Sequence, residues 1–290
     1  MSDSTVAIPT RILVTGMAHE DGTILASELY PVAEACGQTP DQIRSCLRRL
    51  VSEGLYTRQG SGRAAVFRAT EAGLTNLGTY VERTRLAYGQ DAAGRGWDRH
   101  WHLVAFAVPE TRRAARDALR DRLLGLGGAP VQGGLYVSPH QWDKDVRTTA
   151  ERLGILDAVT LASTDDLEIA GERDPRELAR RLWAIDELAA SYDRFVHRFK
   201  AVLELLEDMR RRRQRLADEM FLPGAFAMAI SYMDCFDNDP LLPPELLPRP
   251  WPGRTARDLA VRARRLALGL RHGPSPALFH LFDEALEAIP

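Results

Sequence analysis

The chain has 290 residues, a formal net charge of −2, 45% hydrophobic and 27% charged residues. That length suits two or three domains of ordinary globular composition, and the near-neutral charge means that any field able to hold nucleic acid must be local. Neither a signal peptide nor a run of about 18 apolar residues occurs, and the three cysteines (Cys36, Cys46, Cys235) are few, odd in number and far apart, so the chain reads as a cytoplasmic protein without membrane partner, disulfide frame or metal site.

Residues 1–8 read as disordered, and helical patterning follows to about residue 53. A short helix is expected over Ala26–Ala35, then the turn Cys36-Gly37-Gln38, then a second helix opened by Thr39-Pro40-Asp41-Gln42. Thr39 can cap, Pro40 fits the first helical position, and Gln42 completes a capping box. Ile43, Cys46, Leu47, Leu50 and Val51 form one apolar stripe, while Asp41, Gln42, Arg44, Ser45, Arg48, Arg49 and Ser52 lie on the opposite face. Gly54 ends the helix. A hairpin follows over 54–69, with strands at Leu55–Arg58 and Ala64–Arg68 and the tip Gln59-Gly60-Ser61-Gly62-Arg63. Six arginines against one acid, Glu53, make residues 42–68 a basic island. Helix, glycine turn, arginine-rich helix and arginine-tipped hairpin are the parts of a winged helix-turn-helix. Candidate DNA-binding residues are therefore Gln42, Arg44, Ser45, Arg48 and Arg49 on the helix, with Arg58, Ser61 and Arg63 on the hairpin. A further helix is expected from Thr70 to about Ala87, and Gly89–Gly96 reads as a linker.

The next stretch alternates strands and helices. Strands are expected at Trp101–Val108, near Pro130-Val131, at Gly133–Pro139, at Ala158–Leu161 and at Leu167–Ile169. Helices are expected over Glu110–Leu126 and Gln141–Leu153. The order β-α-β-β-α-β is that of a ferredoxin-like unit. Small metal-dependent nucleases share that plan and need a carboxylate at the end of the first strand, where this chain has Phe106-Ala107-Val108-Pro109. Asp98 precedes the strand, and His100, His102 and His140 lack metal-ligand spacing. The unit reads as an interaction domain, and no catalytic residue, metal or cofactor is expected.

From Asp174 onward the chain is nearly all helical, interrupted by the proline-rich stretch Asp239–Pro250. Leu178, Leu182, Ile185, Ala189, Tyr192, Val196, Phe199, Leu203 and Leu206 repeat every three or four residues, which fits core helices broken near Asp186 or a seam against a partner subunit. Arg210–Arg213 and Arg215 form a cation run at a helix end. Met228, Tyr232, Met233 and Phe236 share one helical face near Trp251, as ordinary core or as an adaptable apolar slot. The architecture is thus α+β: an N-terminal winged helix-turn-helix over 1–90, a ferredoxin-like βαββαβ domain over 97–171, and a helical C-terminal domain over 172–290 for effector binding or dimerisation.

The order of parts resembles the phenylacetate-degradation repressor family (PaaX-type regulators). The resemblance rests on the segment Gln42 through Thr70-Glu71-Ala72-Gly73, on Trp97–Leu103, on Gly134–Pro139, and on Asp239–Pro248 with Trp251-Pro252-Gly253. It implies a central domain similar to CRISPR-associated small nucleases and a dimeric repressor of an aromatic-acid catabolic pathway, such as phenylacetate degradation, released by an aryl-CoA thioester. The chain departs from the family at Ala107, where members often carry an acid. The expected partners are double-stranded operator DNA, an acyl-CoA-type effector and a second copy of the chain. A CoA thioester needs cations for its phosphates and an apolar slot for its acyl group, and Met228, Tyr232, Met233, Phe236, Trp251, Arg254 and Arg257 are the candidates. A metal-dependent nuclease and a protein-interaction adaptor are the alternatives.

Overall fold

The protein, seen in a computed structural model that describes residues 8–19 and 21–272, combines helices with two antiparallel sheets, an α+β chain. The expectation for residues 1–8 falls, apart from Ile8, outside the described residues. By contacts the chain divides into two units. One groups 1–89, 192–236 and 252–290, and the other groups 90–191 with 237–251.

In the first unit, α1 (Thr10–Gly16), β1 (Thr23–Leu25), α2 (Ala26–Ala35), α3 (Pro40–Ser52), β2 (Tyr56–Gln59) and β3 (Val66–Ala69) precede the long α4 (Glu71–Ala93). The capping box forms as the sequence predicts: Gln42 N–H donates to Thr39 Oγ1 at 3.3 Å, and Thr39 N–H to Gln42 Oε1 at 2.7 Å. Ile43, Cys46, Leu47 and Leu50 are buried. The three strands order β1-β3-β2, all antiparallel. The start of α4 is seated on the turn after α3. Thr70 Oγ1 donates to the Gly54 carbonyl at 2.6 Å, its N–H to Leu55 O at 2.9 Å, and Gly73 approaches so closely that a Cβ there would overlap the Leu55 carbonyl oxygen.

Residues 89–93, expected in a linker, instead continue α4. Gln90 is buried, and the helix ends at Gly94, whose φ of 63° closes it in the left-handed conformation that glycine adopts without cost. The unit is completed by the later part of α8 (Ile185–Arg211), α9 (Asp218–Phe236) and α10 (Pro252–Leu270). α9 packs on both α10 and α2. Arg83 of α4 donates to the Phe236 carbonyl at 2.9 Å, its guanidinium 5.3 Å from that ring's centre.

In the second unit, β4 (Trp101–Phe106), α5 (Arg113–Gly125), β5 (Ala129–Gln132), β6 (Leu135–Ser138), α6 (Asp143–Arg152) and β7 (Val159–Thr164) build a sheet ordered β5-β6-β4-β7. The near-continuous apolar run of β4 follows from burial on both faces. Val104 and Phe106 meet the core of α5 and α6 around Trp142. Trp101 and Leu103 meet α7 (Pro175–Leu182) and Leu242, Leu246 and Leu247 of the proline-rich stretch. Glu245 accepts the N–H groups of Gly96 and Trp97, tying that stretch to the strand's approach.

Leu167–Ile169 does not join the sheet. β7 runs on to Thr164, where the hydroxyl accepts the Asp166 N–H at 3.1 Å and turns the chain, leaving an isolated bridge between Ile169 and Glu172. The helical break expected near Asp186 falls at Trp183-Ala184. Trp183 is extended, and its buried ring donates Nε1–H to Gly127 O at 3.1 Å. Of the predicted seam, Leu178, Ile185, Tyr192, Phe199, Leu203 and Leu206 are buried within the chain, so its repeat reflects intrachain core.

Candidate nucleic-acid interface

α3 and the hairpin form the two walls of a groove of ≈1120 Å³. Arg44 and Arg48 line it from the helix and Arg58 and Arg63 from the hairpin, with Tyr30 of α2 and Gln38 of the turn beside them. The local sequence dictates this placement. The buried stripe fixes which face of α3 points outward, and the positive φ of Gly60 (78°) and Gly62 (58°) brings the chain back at the tip. Arg58 lies 6.0 Å from the centre of the Phe67 ring, which steadies it beside the groove.

The groove's cations are unevenly paired. Arg44 binds Asp41 one turn earlier, and the Asp41 hydrogen bond and charge hold the guanidinium above its ordinary value. Among the described residues, Arg48, Arg49, Arg58 and Arg63 form no ion pair. Glu34 and Asp41 also line the groove, but exposed arginines without ion-pair partners of their own are the groups that phosphate oxygens satisfy.

Not every predicted residue shares the groove. Gln42, exposed, has its Oε1 committed to the cap, which leaves only its amide N–H₂ to read a base edge. Ser45 is half-buried, and Arg49 and Ser61 are exposed but do not line the groove. Tyr30 and Gln38 line it and were not predicted, and Ser52, read on the outward face of α3 but not as a contact residue, lines it too. Their signal was weak, because Tyr30 looks like core on α2 and Gln38 like a turn residue.

The predicted slot residues divide in the same way. Met228, Tyr232 and Met233 line one apolar cavity of ≈240 Å³. Phe236 is fully buried and stacks on Tyr232 at 5.5 Å. Trp251 packs instead against the Trp101 core, Arg257 is buried and Arg254 is exposed, and none of the three lines that cavity. Of the arginine run, Arg211 and Arg212 pair with Asp208 at 3.2 and 2.8 Å.

In the second unit, Asp98 is a structural carboxylate. It accepts the His100 N–H at 2.8 Å, faces His102 Nε2 at 3.0 Å, and accepts from Gln141 at 3.1 Å. Burial pushes its carboxyl up, but the hydrogen bonds outweigh it and hold the group below its ordinary 3.8. A carboxylate depressed on folding contributes stability that is full above the unfolded value and is lost as the pH falls through the folded one. Asp98→Asn should therefore lower Tm at pH 7, with the gap to the parent closing below about pH 3.8. Thermal melts from pH 7 to pH 3 check this, and a gap independent of pH would contradict it. Burial likewise lowers the value of His140. Among the described residues, no three His, Cys, Asp or Glu side chains are grouped to hold a metal, and no helix is long and apolar enough to cross a membrane.

Residues 94–179 match the family described as PaaX protein central Cas2-like domain, and residues 183–269 match PaaX-like protein C-terminal domain. The chain is 26% identical over 249 residues to the transcriptional repressor PaaX of Escherichia coli K12, covering 84% of this chain and 74% of that protein. An uncharacterised Mycobacterium tuberculosis protein has the same fold, with a TM-score of 0.51 at 23% identity, over 84% of this chain and 88% of that one.

Proposed function

This chain belongs to the PaaX family, and from that premise we propose that it is a sequence-specific DNA-binding transcriptional repressor of an aromatic-acid catabolic pathway, phenylacetate degradation being the family's example. The observation that carries the reading is the groove lined from two elements by Arg48, Arg58 and Arg63, none of which forms an ion pair among the described residues, although Glu34 and Asp41 line it too. We read residues 1–90 as a winged helix-turn-helix, with α3 entering the major groove and the hairpin as its wing. Residues 97–171 form a ferredoxin-like domain, for which the strand order β5-β6-β4-β7 and its two helices speak. Residues 172–290 serve effector binding and dimerisation. The protein acts in the cytoplasm, without enzymatic activity, and an aryl-CoA thioester releases it from DNA.

Footprinting on the chain's own upstream region, with and without phenylacetyl-CoA, tests the reading. Absence of a protected site would overturn it. Arg63, exposed at the hairpin tip, should act through a phosphate. Arg63→Ala should weaken binding to all sequences alike and lower the slope of log K against log salt by roughly one. An unchanged slope would remove the wing from the interface.

A single α3 reads few base pairs, so the proposed repressor binds a two-fold related site as a homodimer. Light scattering at micromolar concentration should give twice the chain mass, and a monomer binding DNA one-to-one would refute this.

A further inference from the structure

The cavity of ≈240 Å³ lies between α4, α8, α9 and α10, all within the unit that carries α3 and the hairpin. Its lining is almost wholly apolar. The polar side chains on it are Thr84, Tyr88, Tyr232 and Arg264, and Arg264 brings the single charge. Four of the chain's six methionines (Met209, Met220, Met228 and Met233) stand around it. Methionine walls adapt to a guest more readily than branched side chains do. An apolar cavity of about 150 Å³ accepts benzene, so this one takes a single aromatic ring with a short substituent.

Two of the cavity's walls also hold the DNA reader. α4 brings Thr84 and Tyr88 to the cavity, and its first turn is seated against Gly54 and Leu55 at the end of α3. α9 supplies Met220 through Met233 and packs on α2, the helix before α3. Arg83 joins these two walls at the Phe236 carbonyl.

We propose that this cavity receives the ring-sized apolar group of the effector, and that its occupation shifts α4 and α9 and so disturbs the groove between α3 and the hairpin. The proposal rests on the reading of the chain as an effector-released repressor. Release requires that the ligand bind the DNA-free form more tightly than the DNA-bound one, and a ligand lodged between the two supporting helices can make that distinction.

The test uses the full chain and its Ala229→Phe variant, which fills the cavity, with ethylbenzene as a probe of the cavity alone and phenylacetyl-CoA as the effector. Both ligands should raise the parent's Tm, and neither should raise that of the variant. The variant should bind the footprinted site at least ten-fold more weakly and ignore phenylacetyl-CoA. Should Ala229→Phe fail to fold, Ala225→Leu, a smaller addition at another part-buried lining position, takes its place. Release of a folded variant by phenylacetyl-CoA would overturn the cavity's role and leave the repressor reading intact. Absence of an ethylbenzene shift in the parent would overturn the cavity as a ligand site. Loss of ligand binding with unchanged DNA affinity and response would overturn the coupling. A parent without any protected DNA site, yet with an ethylbenzene shift that Ala229→Phe abolishes, would instead sink the repressor reading and with it the link to DNA.

Discussion

Arg48→Ala should weaken binding to the specific site by about 5- to 150-fold, the 1–3 kcal/mol carried by one good base contact, while leaving the thermal stability of the chain unchanged. Arg48 is exposed on α3, lines the groove and has no acidic partner among the described residues, so its removal neither opens the core nor strands a charge. Arg44, one turn earlier, is held by Asp41. To reach DNA it must give up that ion pair, and Arg44→Ala would leave Asp41 facing the phosphates. The Arg44 variant therefore confounds a lost contact with an exposed anion, and Asp41→Asn should tighten binding where Arg48→Ala loosens it. Titration of labelled site DNA at a fixed salt concentration measures all three. Parent-like affinity in Arg48→Ala would remove α3 from the interface.

Trp142→Ala should cost about 3–5 kcal/mol, the range for deleting a buried aromatic ring, against a total stability of about 5–15 kcal/mol for a domain. The side chain is 1% exposed and packs among Leu119, Leu123 and Val146. Its ring lies so close to Gly128 that a Cβ there would overlap it, and neighbours held by the backbone have little freedom to collapse into the space left behind. In urea, the transition of this unit should move to a lower midpoint with its slope unchanged. A loss below about 1 kcal/mol would mean that the site relaxes, contrary to the packing around Gly128.

Local structure was legible where backbone and side chain obey the same short-range rule. The Thr39 cap, the apolar stripe of α3 and the glycine-tipped hairpin could all be read because each is decided within a few residues. The linker expected at Gly89–Gly96 failed because composition says nothing of burial. Gln90 is enclosed, and α4 continues past it to Gly94. Distant pairing was illegible for the same reason. The Arg44–Asp41 ion pair lies three residues apart and could have been read, but nothing local separates Met228, which faces a cavity, from Trp251, which packs against Trp101 and its neighbours. The motif residues Trp97, Trp101, Val137, Leu242, Leu246, Leu247 and Trp251 meet in one core, so the segments that carried the family resemblance are in large part packing partners.

The unit that carries α3 is assembled from three separate stretches of chain, 1–89, 192–236 and 252–290. During synthesis its first stretch leaves the ribosome with the faces of α2 and α4 uncovered, and α9 cannot reach them until residues 90–236 have been made. At about 5–20 residues per second that interval is roughly 7–30 s. Pairing across such a span carries a high contact order and a loop-closure cost that slow folding. A fragment beginning at residue 97 would lack α4 and expose the surfaces of α9 and α10 that line the cavity. The nascent chain is thus most open to aggregation and proteolysis while the central sheet is being made, and the gene cannot be cut at the apparent domain boundaries without removing part of the unit that carries α3.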